Sequence, residues 1–230
     1  MINNKLGRLI KAETFVFACM LLFLIVNAII KHDSIQAFIS AFCGITYTAL
    51  AGKGLPVCYL FGVCGSGFYG FISFQNALWG NLILYVCYYI PMQILGFFKW
   101  NKNLKQDKSS IVKASISKKD LIILLILSLI GISVLSGVLY HYNDTHPILD
   151  SATTIMSVIG MYLTVRRAVQ QWICWIIVNA LSLYMWLSVA LTGAKVWSTV
   201  IMWACYLVLG IYFYIQWKKE LKLQADEIGS

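Results

Sequence analysis

L-D-S-A-T-T-I-M-S-V-I-G-M-Y-L-T-V-R-R-A-V-Q-Q-W-I-C-W-I-I-V-N-A-L-S-L-Y-M-W runs from Leu149 to Trp186. One apolar segment starts beside a lone carboxylate, Asp150, and ends at Arg166 and Arg167. A second opens with Trp172, Trp175 and Asn179. These three stand at i, i+3 and i+7, so a helix places them on one face. Ser182 and Trp186 continue the stripe, while Ile173, Cys174, Ile177 and Val178 form the opposite face. An aromatic stripe with one amide inside an apolar helix lines either a tight helix contact or a polar cavity.

The whole chain shares this character. Its 230 residues are 60% hydrophobic and 12% charged, with a mean hydropathy of +0.77. A soluble domain carries about 25% charged residues. The expectation is therefore an all-α integral membrane protein. The net charge of +9 does not make it a nucleic-acid binder. Its lysines cluster in short loops between apolar runs, the pattern of cytoplasmic membrane loops. The seven cysteines all lie in apolar segments with no C-x-x-C pair, which reads as packing rather than disulfide or metal chemistry. A cleaved signal peptide is not expected, because Glu13 interrupts the first apolar run.

A spanning helix needs about 20 apolar residues. Eight segments qualify, at 13–31, 34–52, 55–74, 79–98, 120–140, 148–166, 171–191 and 196–217. Alternating sides from an inside start puts 16 of the 18 Lys and Arg residues inside, leaving only Lys31 and Lys195 outside. Both termini are thus expected in the cytoplasm. The polar linker Asn101–Lys119 reads as a solvated, partly disordered loop. Pro91, in mid-segment, reads equally as a tolerated kink and as a hinge beside a cavity.

An offset of 118 residues pairs Trp79 with Trp197, Tyr85 with Trp203, Cys87 with Cys205 and Tyr88 with Tyr206. The match joins the last segments of two triplets separated by one helix. An odd number of crossings makes the triplets parallel, a transporter arrangement. The expected organisation is an N-terminal helix (1–33), a three-helix repeat (34–100), a loop and linker helix (101–147), a second repeat (148–217) and a cytoplasmic tail (218–230).

The stretch Asp150, Ser151, Ser157, Gln170, Trp172, Trp175, Asn179 resembles the D-S-x5-S-x12-[QE]-x-W-x2-W-x3-N pattern of the PnuC family of vitamin-precursor transporters. Tyr88-Tyr89-Ile90-Pro91-Met92-Gln93, with Gly96 and Trp100, resembles a second stretch of that family. The resemblance covers roughly residues 35–220. It implies a SWEET-like fold of three plus one plus three helices. It also implies facilitated diffusion of nicotinamide riboside, intracellular trapping by a kinase, a homotrimer in the inner membrane, and no ion coupling or cofactor. Some branches carry thiamine, riboflavin or deoxynucleosides. This chain departs from the family at Gly54–Tyr59, at Asn81 in place of a glutamate, and in the first half's glycines Gly62, Gly65, Gly67 and Gly70 where a W-x2-W-x3-N copy is missing.

A pyridinium nucleoside needs aromatic faces for its cation and amide partners for its carboxamide and hydroxyls. Gln93, Asn179, Trp175 and Trp172 supply that set. Asn81, Tyr85, Tyr88, Met92 and Gly96 form a further stripe, mirrored by Trp203 and Tyr206. Against these stand ordinary readings: interfacial anchoring for Trp100, Trp172 and Trp217, and a helix start for Asp150. His141, His146 and Asp144 read as a solvated outer loop, so no acid–base relay is expected. No metal-ligand spacing, nucleophile elbow or phosphate loop supports an enzyme. A non-transporting sensor or assembly subunit is the other alternative.

Overall fold

The computed structural model describes residues 17–26, 30, 35–75, 82–107, 109–143, 146–192 and 197–229. Asn81, Trp79 and Asp144 lie outside them, as does the side chain of Trp197. Among the described residues eight helices form: α1 (Phe17–Val26), α2 (Ile35–Gly52), α3 (Cys58–Gln75), α4 (Ile90–Asn101), α5 (Lys118–His141), α6 (Pro147–Val165), α7 (Gln171–Leu191) and α8 (Trp197–Gly229). Three of them, α5, α6 and α7, are long and apolar enough to cross a membrane by length and composition. The chain divides into two compact units, Met1–Phe97 and Phe98–Ser230.

In the first unit α2 and α3 pack tightly because α3 carries glycine where they meet. A Cβ on Gly65 would sit 3.0 Å from Cys43 Cβ, and Ser40 Oγ donates to the Gly65 carbonyl at 3.1 Å. Gly65, one of the glycines that stand where the tryptophan motif is missing, therefore lets two backbones approach. Gly54 ends α2 at φ 73°, the left-handed position glycine adopts without strain, and the next amide, Leu55 N–H, returns to the Leu50 carbonyl at 3.0 Å.

A π-helical turn, Leu84–Tyr89, leads into α4. Ile90 N–H reaches back five residues to the Tyr85 carbonyl. Pro91 has no N–H and would crowd the Cys87 carbonyl in a regular helix; a wider turn beside it relieves that conflict. The inserted residue also shifts the faces. Of the expected stripe Tyr85, Tyr88 and Met92 are only half-buried and Gly96 is buried, while Tyr89 and Gln93, off that stripe, are buried.

In the second unit Ser117 caps α5 by accepting from Asp120 N–H at 3.1 Å. Most apolar side chains of α5 are exposed, which suits a lipid-facing helix. α6 begins at Pro147, three residues before Asp150, so Asp150 sits in the first turn where the helix dipole favours a carboxylate. α8 is 33 residues long, about 50 Å, and exceeds a hydrocarbon core of about 30 Å. The stretch expected as a tail beyond Trp217 is helical through Gly229.

The linker is not the partly disordered loop expected from its composition. Ile111 is fully buried. Ala114 N–H donates to the Arg167 carbonyl and Val169 N–H to the Ala114 carbonyl, both at 2.9 Å. Arg167, at φ 60°, donates Nη1 to the Val112 carbonyl at 2.8 Å. Gln170 gives Nε2 to Ser115 Oγ at 2.7 Å and accepts Ile116 N–H at 3.3 Å. Lys113 is buried, ion-paired with Glu220, and sits 5.0 Å from the Trp217 ring centroid. Burial pulls the Lys113 ammonium below its ordinary range, against the opposing pull of Glu220.

Candidate functional site

Each unit carries its own candidate residues. In the first, α4 places Gln93 against α3. Its Nε2 donates to Ser66 Oγ at 3.0 Å, and its Oε1 is buried with no partner among the described residues. Gly62 makes room, since a Cβ there would lie 3.0 Å from Gln93 Cδ and 2.9 Å from Tyr47 Cδ2. The Tyr47 hydroxyl is likewise buried without a partner among the described residues. Two side chains that touch Gly62 therefore each carry an unmet polar atom in an apolar segment, which costs about 1–3 kcal/mol unless a ligand or water meets it.

A tyrosine ladder runs beside this amide. Tyr69 stacks on Tyr85 at 4.4 Å, Tyr85 meets Tyr89 edge-on at 4.9 Å, and Tyr88 lies 5.8 Å from Tyr89. Tyr88 thus belongs to a ring cluster whose buried member is Tyr89. Tyr47 and Ser66 escaped sequence reading, because their relation to Gln93 depends on contacts between helices.

In the second unit the face of α7 expected to point inward does so in part. Trp172, Asn179 and Ser182 are buried and Trp175 is half-buried, but Trp186 is exposed. Cys174 and Val178, assigned to the opposite face, are buried too. The buried arc is wider than one stripe because α7 packs against both α6 and α8. Cys174 joins Leu163 and Ala168 in a small apolar cluster.

Trp172 is 3% exposed and packs between Phe213 at 5.3 Å and Trp217 at 5.7 Å. Trp100 lies 6.1 Å from Trp217 and donates Nε1 to the Thr164 carbonyl at 2.8 Å. These tryptophans form a ring cluster in which Trp100 ends α4, Trp172 opens α7 and Trp217 lies within α8. Trp175, one turn further along α7, donates Nε1 to Thr164 Oγ1 at 3.2 Å.

Asn179 is 7% exposed, and no side-chain hydrogen bond joins it to another described residue. Its Nδ2 faces Gly210 of α8, where a Cβ would lie 3.7 Å away. Trp203 and Tyr206 meet at 6.0 Å on α8, and the Trp203 Nε1 is buried without a partner among the described residues. The described residues hold no cluster of His, Cys, Asp or Glu suited to a metal ion. The chemistry available is that of neutral amides, hydroxyls and aromatic faces.

Known proteins match most of the chain. A family model described as nicotinamide mononucleotide transporter matches residues 34–219. The nicotinamide riboside transporter PnuC of Neisseria mucosa is 30% identical over 217 residues, covering 90% of this chain and 82% of its own length. That of Haemophilus influenzae is 29% identical over 194 residues, covering 83% and 82%. The crystal structure of the vitamin B3 transporter PnuC aligns with a TM-score of 0.77 at 27% identity, covering 91% of this chain and 92% of the solved one. With that match running through both units and apolar helices in each, the chain is a multi-pass membrane protein of the PnuC nicotinamide mononucleotide/riboside transporter family.

Proposed function

We propose that this protein carries nicotinamide riboside across the cytoplasmic membrane by facilitated diffusion, and that intracellular phosphorylation traps the product. One observation carries the reading: a relative named for that substrate matches 90% of the chain at 30% identity. The side chains are compatible with it. Gln93 offers a buried carbonyl oxygen with no partner among the described residues, and Asn179 is a second buried amide. Trp175, half-buried, offers a ring to the pyridinium cation. Trp203 and Tyr206 add aromatic faces in the second unit and Tyr88 one in the first, and Asn81 is a further amide candidate. Trp172, enclosed by Phe213 and Trp217, serves as support rather than as a contact.

In this reading α2–α4 and α6–α8 are parallel repeats joined by α5, both termini and the linker face the cytoplasm, and the assembly is a homotrimer. Solute counterflow in liposomes tests it. Labelled nicotinamide riboside exchanges against unlabelled substrate in the expected outcome. Exchange of thiamine or a deoxynucleoside instead reassigns the substrate, and no exchange of any of them points to a sensor or assembly subunit.

A further inference from the structure

We infer that Thr164 fixes the orientation of the Trp175 indole and is thereby a positioning residue for the cationic ring of the substrate. The inference rests on the proposed role of Trp175 in binding.

Thr164 lies one residue before the end of α6 and is 1% exposed. Its hydroxyl donates to the Gly160 carbonyl one turn back at 2.7 Å and accepts the Trp175 indole N–H at 3.2 Å. The first bond locks the hydroxyl, so its lone pair has a set direction when the indole arrives. Gly160 supplies the space. A Cβ there would stand 3.2 Å from Trp175 Cε2 and 3.3 Å from Cζ2, closer than ordinary contact. Gly160 and Thr164, at i and i+4, thus make a slot on α6 that takes one edge of the indole and its N–H together. An indole N–H turned away from this slot would meet an apolar membrane segment with no water to satisfy it. The edge of Trp175 is held while the residue stays half-buried.

Thr164 also holds Trp100, but through its backbone carbonyl. Replacing the side chain therefore separates the two roles: Thr164→Val keeps the shape and the Trp100 bond and removes only the acceptor for Trp175.

The test is calorimetric titration of nicotinamide riboside into purified full-length variants, with each variant's ligand-free Tm recorded. Thr164→Val is expected to weaken binding about three- to tenfold, the value of one neutral hydrogen bond. Thr164→Ser, which restores the hydroxyl, returns affinity to the wild-type value. In a Trp175→Phe background, which has no indole N–H, Thr164→Val has no further effect on affinity. Gly160→Ala, which fills the slot, weakens binding in the wild-type background only, and it keeps the test open if Thr164→Val does not fold. An equal loss from Thr164→Val in both backgrounds makes Thr164 a packing residue and overturns the inference. So does wild-type affinity in Thr164→Val when Trp175→Ala is weakened. Wild-type affinity in Trp175→Ala removes Trp175 from the site and overturns the binding role beneath the inference.

Discussion

Gln93 gives its amide N–H to Ser66 Oγ at 3.0 Å and keeps its carbonyl oxygen buried with no partner among the described residues. Ser66 thereby orients the amide, because a donor committed to α3 leaves Oε1 pointing elsewhere. An unmet acceptor in an apolar segment lowers stability by about 1–3 kcal/mol. Gln93→Met should therefore leave the ligand-free Tm unchanged or raise it, and weaken nicotinamide riboside binding about tenfold. Calorimetry and a thermal melt on the same preparation check this. A lower Tm with unchanged affinity would make Gln93 a packing residue.

The docked linker gives a second expectation. Lys113 is buried between Glu220 and Trp217, while Lys102 is exposed. Limited trypsin treatment of the folded protein should cut after Lys102 long before Lys113. Lys113 also makes stability depend on pH. Its pKa in the folded chain lies below the ordinary 10.5, first because burial disfavours the charge. The unfolded chain therefore holds the proton to higher pH than the folded one. Stability should rise as pH climbs through the folded value toward 10.5, and this rise should be absent in Lys113→Met. An identical pH dependence in Lys113→Met would remove Lys113 as its source.

Topology follows from the same region. In a background without native cysteines, Lys102→Cys should react with a membrane-impermeant maleimide only after the cells are permeabilised. This side assignment comes from the separation of Lys and Arg between alternate loops. Labelling of intact cells at that position would reverse the proposed orientation.

The helices were legible because each spanning segment is a local run of apolar residues whose length the membrane dictates. Apolar runs counted at 171–191 and 34–52 appear as α7 (Gln171–Leu191) and α2 (Ile35–Gly52). The linker was not legible. Lys113 finds Glu220 across 107 positions, and nothing around Lys113 distinguishes it from the solvated lysines nearby. Tyr89 was missed in favour of Tyr88 because a regular helical period was carried through a π-helical turn. Thr164 carries no mark in the sequence, where it is one more hydroxyl in an apolar run. Its importance comes from Trp175 and Trp100, which reach it from two other helices.

Asn179 gives the sharpest test of the binding reading. It is the amide of the α7 stripe, it is 7% exposed, and its Nδ2 looks toward the bare backbone of Gly210. An amide that served packing alone would hold the ligand-free fold together through its contact with Gly210, so that losing it lowers Tm. An amide kept for a ligand leaves a polar group in an apolar segment and recovers that cost on binding. The two cases predict opposite signs. For a ligand amide, Asn179→Leu raises or preserves the ligand-free Tm and weakens nicotinamide riboside binding by roughly ten- to a hundredfold. Gly210→Ala, whose Cβ would stand 3.2 Å from Ile176 Cγ1 and 3.7 Å from Asn179 Nδ2, should weaken binding in the same direction but less. Asp150→Asn is the control. It lies in the first turn of α6 and should lower Tm through the lost dipole interaction while affinity holds. Calorimetric titration and thermal melts of the three variants decide between the cases. Wild-type affinity in Asn179→Leu together with a lower Tm would make Asn179 a structural residue and move the site elsewhere.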